Sequence, residues 1–187
     1  LPEPVLAVGG HLKLAVALAW DRRIVVSPHI GDMGTLRSEQ VFEQVVADLQ
    51  RLYDVTARHW LCDAHPGYTT TRWVQASGQP YSTVLHHHAH ASALVTEHGV
   101  SDPAIVFTWD GVGYGADGTL WGGETFTGQP GAWSRTASLR SFRLPGGDKA
   151  GRSPWRSAAA LSWEAGVDCP LVVPDPIVRE AWSRGVN

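Results

Sequence analysis

The sequence predicts an α/β protein in which short groups of strands alternate with helices. Three observations lead to this fold class: short β-type apolar runs, one long segment with helical apolar spacing, and glycine or proline–glycine turns between them. The hydrophobic fraction of 43% and the charged fraction of 18% are typical of a folded chain with a sizeable core.

Bulk composition excludes several classes of partner. The net charge of −3 provides no broad basic surface, and no apolar run reaches membrane-spanning length, so we expect neither nucleic acid nor membrane as a partner. The two cysteines, Cys62 and Cys169, form no CxxC pair and indicate no disulfide framework, which predicts a cytoplasmic location. The chain opens at Leu1 without a methionine, which indicates a cut from a longer polypeptide.

The N-terminal residues predict a three-stranded β-meander. Strands are expected over residues 5–8, 12–20 and 24–27, with a glycine pair and a charged tripeptide forming the two turns. Backbone N–H groups at the glycine pair would come close to an anion, although most glycine pairs simply satisfy a turn.

The middle of the chain predicts a helix, a strand, a second helix and another strand. Apolar residues recur at helical spacing over residues 38–55. A short strand over residues 60–62 leads into a polar cluster at 63–68, which is where α/β sheets place ligand loops. A short helix over residues 70–76 and a strand over residues 81–85 follow.

The second half predicts a new hairpin and then a helix. A strand over residues 104–109 enters a loop at 110–118 that holds four glycines, and residues 120–126 return as the partner strand. A polar stretch follows, after which an alanine-rich helix begins near Pro154. The segment from Cys169 contains three prolines and is expected to be a loop or an interrupted domain.

This order of elements matches the start of the actin-like or sugar-kinase-like ATPase fold. In that fold two similar lobes each begin with a hairpin, and glycine-rich hairpin turns hold nucleotide phosphates in the cleft between them. We therefore expect residues 1–100 to form the first lobe and residues 101–187 to form the beginning of a second, incomplete lobe.

A histidine pentad, His86-His87-His88-Ala89-His90, is the most informative motif. Its outer histidines are four positions apart, so on a helix they share one face and can bind one divalent cation. Asp110 follows at the end of a predicted strand, and a carboxylate arriving from there would complete a site with two histidines and one carboxylate. The alternative, satisfied core histidines, requires a hydrogen-bond partner for each buried ring.

Several segments are distinctive in combination. They are residues 27–33 (SPHIGDM), 63–68 (DAHPGY), the histidine pentad, 110–124 (DGVGYGADGTLWGGE), 144–149 (LPGGDK) and 154–156 (PWR). Together they resemble the hydrogenase-maturation carbamoyltransferase family, HypF, in its domain related to the universal tRNA threonylcarbamoyl transferase. The resemblance extends to about Trp163.

The resemblance implies a reaction and two partners. In full-length members another domain makes carbamoyl adenylate from carbamoyl phosphate and ATP. The resemblance implies that the domain represented by this sequence would pass the carbamoyl group to the C-terminal cysteine of an acceptor protein, HypE, and that the product becomes the cyanide ligand of nickel–iron hydrogenase. The expected partners are a HypE-like acceptor and the carbamoyl-adenylate-forming domain of the same longer chain.

The resemblance also implies a metal site. It assigns His86, His90 and Asp110 as ligands of a Zn²⁺ or Fe²⁺ ion that polarises the carbamoyl carbonyl or holds a phosphate oxygen of the adenylate. Within the cleft, His65 is expected to be a base or a hydrogen-bond donor, the alternative being a polar group that stabilises a turn.

Further residues are implied to bind the ATP-derived nucleotide. Backbone at Gly111, Gly113 and Gly115 would approach the nucleotide, as in the related ATPases. Lys149 and Arg156 would neutralise phosphate charge, and the alternative of ordinary surface cations stays open.

Three other functions each agree with part of the sequence. An O-carbamoyltransferase of antibiotic biosynthesis shares the chemistry but accepts on a sugar hydroxyl, and the segment at residues 144–149 favours the maturation type. A non-catalytic metal-binding or docking module is favoured because the family's upstream domains and closing second-lobe motifs have no counterpart in this sequence. A sugar or acetate kinase explains the glycine-rich loops and leaves the histidine pentad unexplained.

Overall fold

Two compact units make up the computed structural model, which describes residues 1–147, 149–168 and 175–184. The first unit is Leu1–Ala137 and the second is Ser138–Asn187. Among the described residues, none of the helices combines the length and the apolar character that crossing a membrane requires.

The strands and helices alternate as expected for an α/β protein. The strands are β1 (Val5–Ala7), β2 (Ala17–Trp20), β3 (Arg23–Val26), β4 (His59–Asp63), β5 (Tyr81–Val84), β6 (Ala104–Tyr114), β7 (Leu120–Gln129) and β8 (Ala132–Ser138). The helices are α1 (Leu36–Tyr53), α2 (Thr69–Ala76), α3 (His86–Glu97), α4 (Lys149–Arg152), α5 (Trp155–Glu164) and α6 (Pro176–Ser183).

Five strands form the first sheet, in the order β3-β2-β1-β4-β5. The predicted meander is confirmed, since β1 and β3 both pair antiparallel with β2. β4 pairs parallel with both β1 and β5, and Asp63 lies opposite Val84 in that register. Because parallel strands end at the same edge, the residue that closes β4 lies beside the start of α3 at His86.

The core of the first sheet is formed by alternating residues of its strands and by one face of α1. Leu6 and Leu18 face each other across β1 and β2 and are fully buried. From α1, Phe42, Val46 and Leu49 recur at helical spacing and pack into the same cluster. This packing holds the strand ends that carry polar side chains in a fixed position.

The second sheet has the order β6-β7-β8, and α3 packs on it. His87, Ala91 and Val95 form the buried stripe of α3 and recur every four residues. Ala91 and Val95 join Phe126 and Trp121 of β7 in one apolar cluster. This contact fixes the helix that carries the histidine pentad against the hairpin that carries Asp110.

Several predicted boundaries were wrong. The strand expected from residue 12 begins at Ala17, because Lys13 has a left-handed φ of 51° and interrupts the extended run. The loop expected from residue 110 begins later, since β6 continues to Tyr114. The polar stretch after β7 forms a third strand, β8, which lacks the apolar alternation that would have predicted it.

The helix boundaries also differ from the predictions. Helix α1 begins at Leu36, two residues before the predicted start, because Thr35 and Ser38 form a capping box. Residues 169–174 and Asp148 lie outside the described residues, as do the predictions made for them. Residues 176–183, expected to be loop, form α6. The division into lobes at residues 1–100 and 101–187 stays a prediction.

Candidate metal centre

Two elements of the first unit bring the predicted metal ligands together. His86 Nε2 lies 2.9 Å from Asp110 Oδ2, and His90 Nε2 lies 3.8 Å from the same oxygen. The two histidine Nε2 atoms are 3.2 Å apart. Helix α3 and the strand that follows it in the chain, β6, thus direct two imidazoles and one carboxylate at one point.

The donor set fits a divalent cation. Zinc binds imidazole nitrogen and carboxylate oxygen at about 2.0–2.2 Å, so neighbouring ligand atoms of a tetrahedral ion are roughly 3.3 Å apart. The three separations, between 2.9 and 3.8 Å, bracket that value. His90 is exposed and His86 and Asp110 are part-buried, which leaves one side open for a further ligand.

Asp110 reaches the site because β6 is irregular there. The register between β6 and β7 pairs Trp109 with Gly123 and then Gly113 with Trp121. Three residues of β6 therefore lie opposite the single residue Gly122, which forms a β-bulge. A bulge redirects side chains, and this one places the Asp110 carboxylate beside α3.

Two carboxylates surround His86. Its Nε2 contacts Asp110, and its Nδ1 lies 2.9 Å from Asp63 Oδ2. The hydrogen bond to Asp110, followed by the one to Asp63, raises the pKa of His86 to about 9. In turn His86 lowers the pKa of Asp110 to about 2. The site therefore holds a positive charge on its innermost ring at neutral pH.

The pKa of His90 is shifted in the opposite direction to that of His86. Burial, followed by the neighbouring charge on His86, holds the pKa of His90 below its usual range. Its imidazole is neutral at pH 7, which is the form that binds metal. One ring of the pair is therefore ready to bind a cation, and the other must exchange its Nε2 proton for the cation.

Asp63 is the residue that sequence reasoning missed. It is buried, with 5% of its side chain exposed, and it contacts His86 directly. Two signals pointed to it: Asp63 directly follows the strand predicted at residues 60–62, and the histidine pentad follows the next strand of the same parallel set. Parallel neighbours end at one edge, so these positions should have been expected to meet.

The inner histidines of the pentad belong to the core. His87 is fully buried, and its Nε2–H donates to the Gly122 carbonyl oxygen at 2.8 Å. The ring of His88 packs edge-on against Phe126 at a centroid distance of 4.9 Å, and burial lowers the pKa of His88. The alternative interpretation as core residues thus describes the packing of these two histidines, although the buried Nδ1 of His87 has no hydrogen-bond partner among the described residues, while the outer pair faces the site.

His65 is placed near the site by its backbone. Its N–H donates to Asp63 Oδ1 at 2.8 Å, and its ring stacks on Tyr68 at a centroid distance of 4.1 Å. The Nδ1 atom of His65 accepts a hydrogen bond from the N–H of Gly67 at 3.0 Å. In the neutral ring the proton is therefore on Nε2, which favours a donor over a base.

The three predicted nucleotide-binding glycines have different surroundings. A Cβ added at Gly113 would lie 2.4 Å from His87 Nδ1, and one at Gly115 would lie 2.1 Å from Trp121 Nε1. At Gly111 no atom lies within 4 Å of the added Cβ. Close packing against side chains thus requires glycine at two of these positions, and their nucleotide role stays a prediction.

The second unit contains both predicted phosphate-binding cations. Lys149 is exposed at the start of α4. The Arg156 guanidinium lies over the ring of Trp155 at 4.6 Å and reaches Asp175 at 3.8 Å. These contacts orient Arg156 within its own unit.

Comparison with known proteins identifies similar sequences along most of the chain. Residues 1–97 match the family model described as the HypF Kae1-like domain. Residues 106–181 match the model described as the second subdomain of the Kae1-like domain of carbamoyltransferases. A carbamoyltransferase HypF from Synechocystis sp. is 40% identical over 168 residues, which cover 87% of this chain and 22% of that protein.

Comparison with solved structures also identifies similar proteins. A crystal structure of full-length HypF in the phosphate- and nucleotide-bound form matches with a TM-score of 0.81 and 29% identity, covering 86% of this chain and 26% of that one. YeaZ from Pseudomonas aeruginosa matches with a TM-score of 0.51 and 17% identity, covering 73% of this chain and 65% of that one, which shows a likeness of fold alone. These matches confirm the predicted fold class.

Proposed function

The chain belongs to the HypF family of carbamoyltransferases, and from that premise we propose that it holds the metal site at which a carbamoyl group passes from carbamoyl adenylate to a protein thiol. The acceptor would be the C-terminal cysteine of a HypE-like protein in hydrogenase maturation. The carbamoyl-adenylate-forming domain would belong to the same longer chain, since this sequence spans only 22% of the Synechocystis relative. The convergence of His86, His90 and Asp110 supports the proposal most directly.

The proposed transfer forms a carbon–sulfur bond and breaks the bond between the carbamoyl carbon and the phosphate oxygen. AMP leaves, and the thiol proton passes to a base or to water. A zinc or iron ion at the site would act as a Lewis acid on the carbamoyl carbonyl or on a phosphate oxygen.

Further predicted residues would bind the adenylate. The Nε2–H of His65 is suited to donate to an oxygen of the substrate, because Nδ1 of that ring is held by Gly67. Lys149 and Arg156 would neutralise phosphate charge. Backbone at Gly111 is suited to approach a nucleotide, because the space beside its Cα is open.

The first test measures the metal content of the purified, untagged chain by elemental analysis. We expect close to one zinc or iron per chain, and we expect His86→Ala and His90→Ala to lose it while circular dichroism shows unchanged helix content. His98→Ala is the matched control, because it removes an exposed imidazole beyond the end of the same helix. Unchanged metal content in both site variants would refute the proposed site.

A second candidate function is a non-catalytic metal-binding or docking module, in which the same three ligands would hold a cation without group transfer. Carbamoyl adenylate supplied together with a HypE-like acceptor separates the two candidates. Mass spectrometry that detects a carbamoylated C-terminal cysteine would exclude the module. In a parallel reaction that supplies a sugar in place of the HypE-like acceptor, transfer to the sugar hydroxyl would identify the O-carbamoyltransferase alternative.

A further inference from the structure

We propose that Asp63 is a positioning residue that determines which ring nitrogen of His86 faces the metal. The inference rests on the proposed function, because it concerns the geometry of the same metal site. Asp63 does not itself face the point where His86, His90 and Asp110 converge. It acts through the far side of the His86 ring.

The contacts of His86 give the orientation. Asp63 Oδ2 lies 2.9 Å from Nδ1, while Nε2 faces Asp110 Oδ2 at 2.9 Å and His90 Nε2 at 3.2 Å. A carboxylate only accepts hydrogen bonds, so Asp63 requires a proton on Nδ1. With that proton in place, Nε2 is the nitrogen whose lone pair can bind a cation.

Asp63 can impose this orientation because both its carboxylate and its backbone are held. Its Oδ1 accepts the His65 N–H at 2.8 Å. Its backbone is the last position of β4, paired with Val84 of β5. A buried carboxylate with both oxygens engaged by different N–H donors has little freedom to rotate.

An asparagine at this position would be unable to satisfy both donors. Asparagine has one acceptor oxygen and one amide nitrogen, whereas Asp63 accepts at both of its oxygens. If the amide nitrogen faced His86, the imidazole would need its proton on Nε2, which is the nitrogen that the metal requires. If the amide nitrogen faced His65, two N–H donors would oppose each other and displace the side chain. Both arrangements weaken the metal site while preserving the volume of the residue.

The decisive experiment compares zinc affinities. Zn²⁺ alone is titrated against a chelator of known affinity into the wild-type chain and the Asp63→Asn and Thr71→Val variants. Thr71→Val is the matched control, because it removes the buried hydrogen bond to the Asp63 backbone and leaves the carboxylate unchanged. We expect Asp63→Asn to bind zinc roughly 10–100-fold more weakly and Thr71→Val to stay close to wild type.

The outcomes separate the inference from the proposed function. Wild-type zinc affinity in Asp63→Asn would overturn the positioning role and leave the metal site standing. Equal losses in Asp63→Asn and Thr71→Val would also overturn it, since they would indicate a general structural effect. Failure of the wild-type chain to bind zinc would refute the metal site and the inference with it.

A second measurement requires no substitution and therefore does not depend on a variant that folds. Nitrogen-15 NMR of the zinc-bound wild-type chain reports which nitrogen of His86 carries a proton. We expect a protonated Nδ1, protected from exchange by the buried Asp63, and a metal-bound Nε2. A protonated Nε2 with the metal on Nδ1 would overturn the proposal.

Discussion

Replacing Gly113 with alanine should destabilise the first unit strongly, because the histidine helix packs directly on that position. The new Cβ would lie 2.4 Å from Nδ1 and 2.6 Å from Cε1 of His87, and 3.0 Å from Cβ of His86. His87 is fully buried and is held by its hydrogen bond to the Gly122 carbonyl, so its ring has little room to move.

The expected magnitude has two sources. Overpacking of a well-packed core costs about 1–3 kcal/mol, and loss of the hydrogen bond from His87 adds about 1 kcal/mol. We therefore expect Gly113→Ala to lower the free energy of unfolding by about 2–4 kcal/mol. Because His86 is also displaced, the zinc affinity of the variant should fall as well.

Urea denaturation followed by tryptophan fluorescence measures this difference, and Gly111→Ala is the matched control. No atom lies within 4 Å of a Cβ added at Gly111. Alanine there should be neutral or should stabilise by about 0.4–1 kcal/mol, because it restricts the unfolded chain. If Gly113→Ala were as stable as Gly111→Ala, the close packing of β6 on the histidine helix would be refuted.

Two further predictions test the packing elsewhere. Phe126→Ala should cost about 3–5 kcal/mol of unfolding free energy, whereas Phe107→Ala on the neighbouring strand should cost about 0.5 kcal/mol or less, because Phe126 is fully buried and Phe107 is 64% exposed. Equal losses of unfolding free energy in the two variants, measured by urea denaturation, would contradict the burial of Phe126 and the exposure of Phe107. Burial raises the pKa of the Cys62 thiol, so iodoacetamide at pH 8 should label this residue slowly until urea unfolds the chain. Peptide mass spectrometry locates the label, and rapid labelling of Cys62 in the folded chain would show that the thiol is accessible.

The parts of the fold that follow from local periodicity were predictable. The spacing of Val46 and Leu49 defines one face of α1, and the spacing of His86 and His90 places both rings on one side of α3. Each pattern depends only on residues within a few turns of one another. For this reason α1, α2, α3, α5 and the meander could be predicted, although several boundaries were shifted and α4 and α6 were not expected.

Features that depend on pairing between distant segments could not be predicted in the same way. The bulge that turns Asp110 toward α3 exists only in the register between β6 and β7, and no local pattern specifies that register. Strand β8 is polar, so its extended conformation depends on pairing with the neighbouring strand β7. Asp63 lay within reach of prediction, because the order of parallel strands sufficed to place it beside His86.

The start of α3 has a consequence for protein engineering. Leu85 occupies the N-cap position without a side-chain hydrogen bond, and the first turn contains no acidic residue. A 12-residue helix of this kind gains little stability from its own sequence, so the surrounding packing holds it in place. Grafting the histidine pentad alone onto another scaffold would therefore transfer the imidazoles without their geometry. A functional transplant would have to include the end of β4 and the bulged hairpin of β6 and β7 as well.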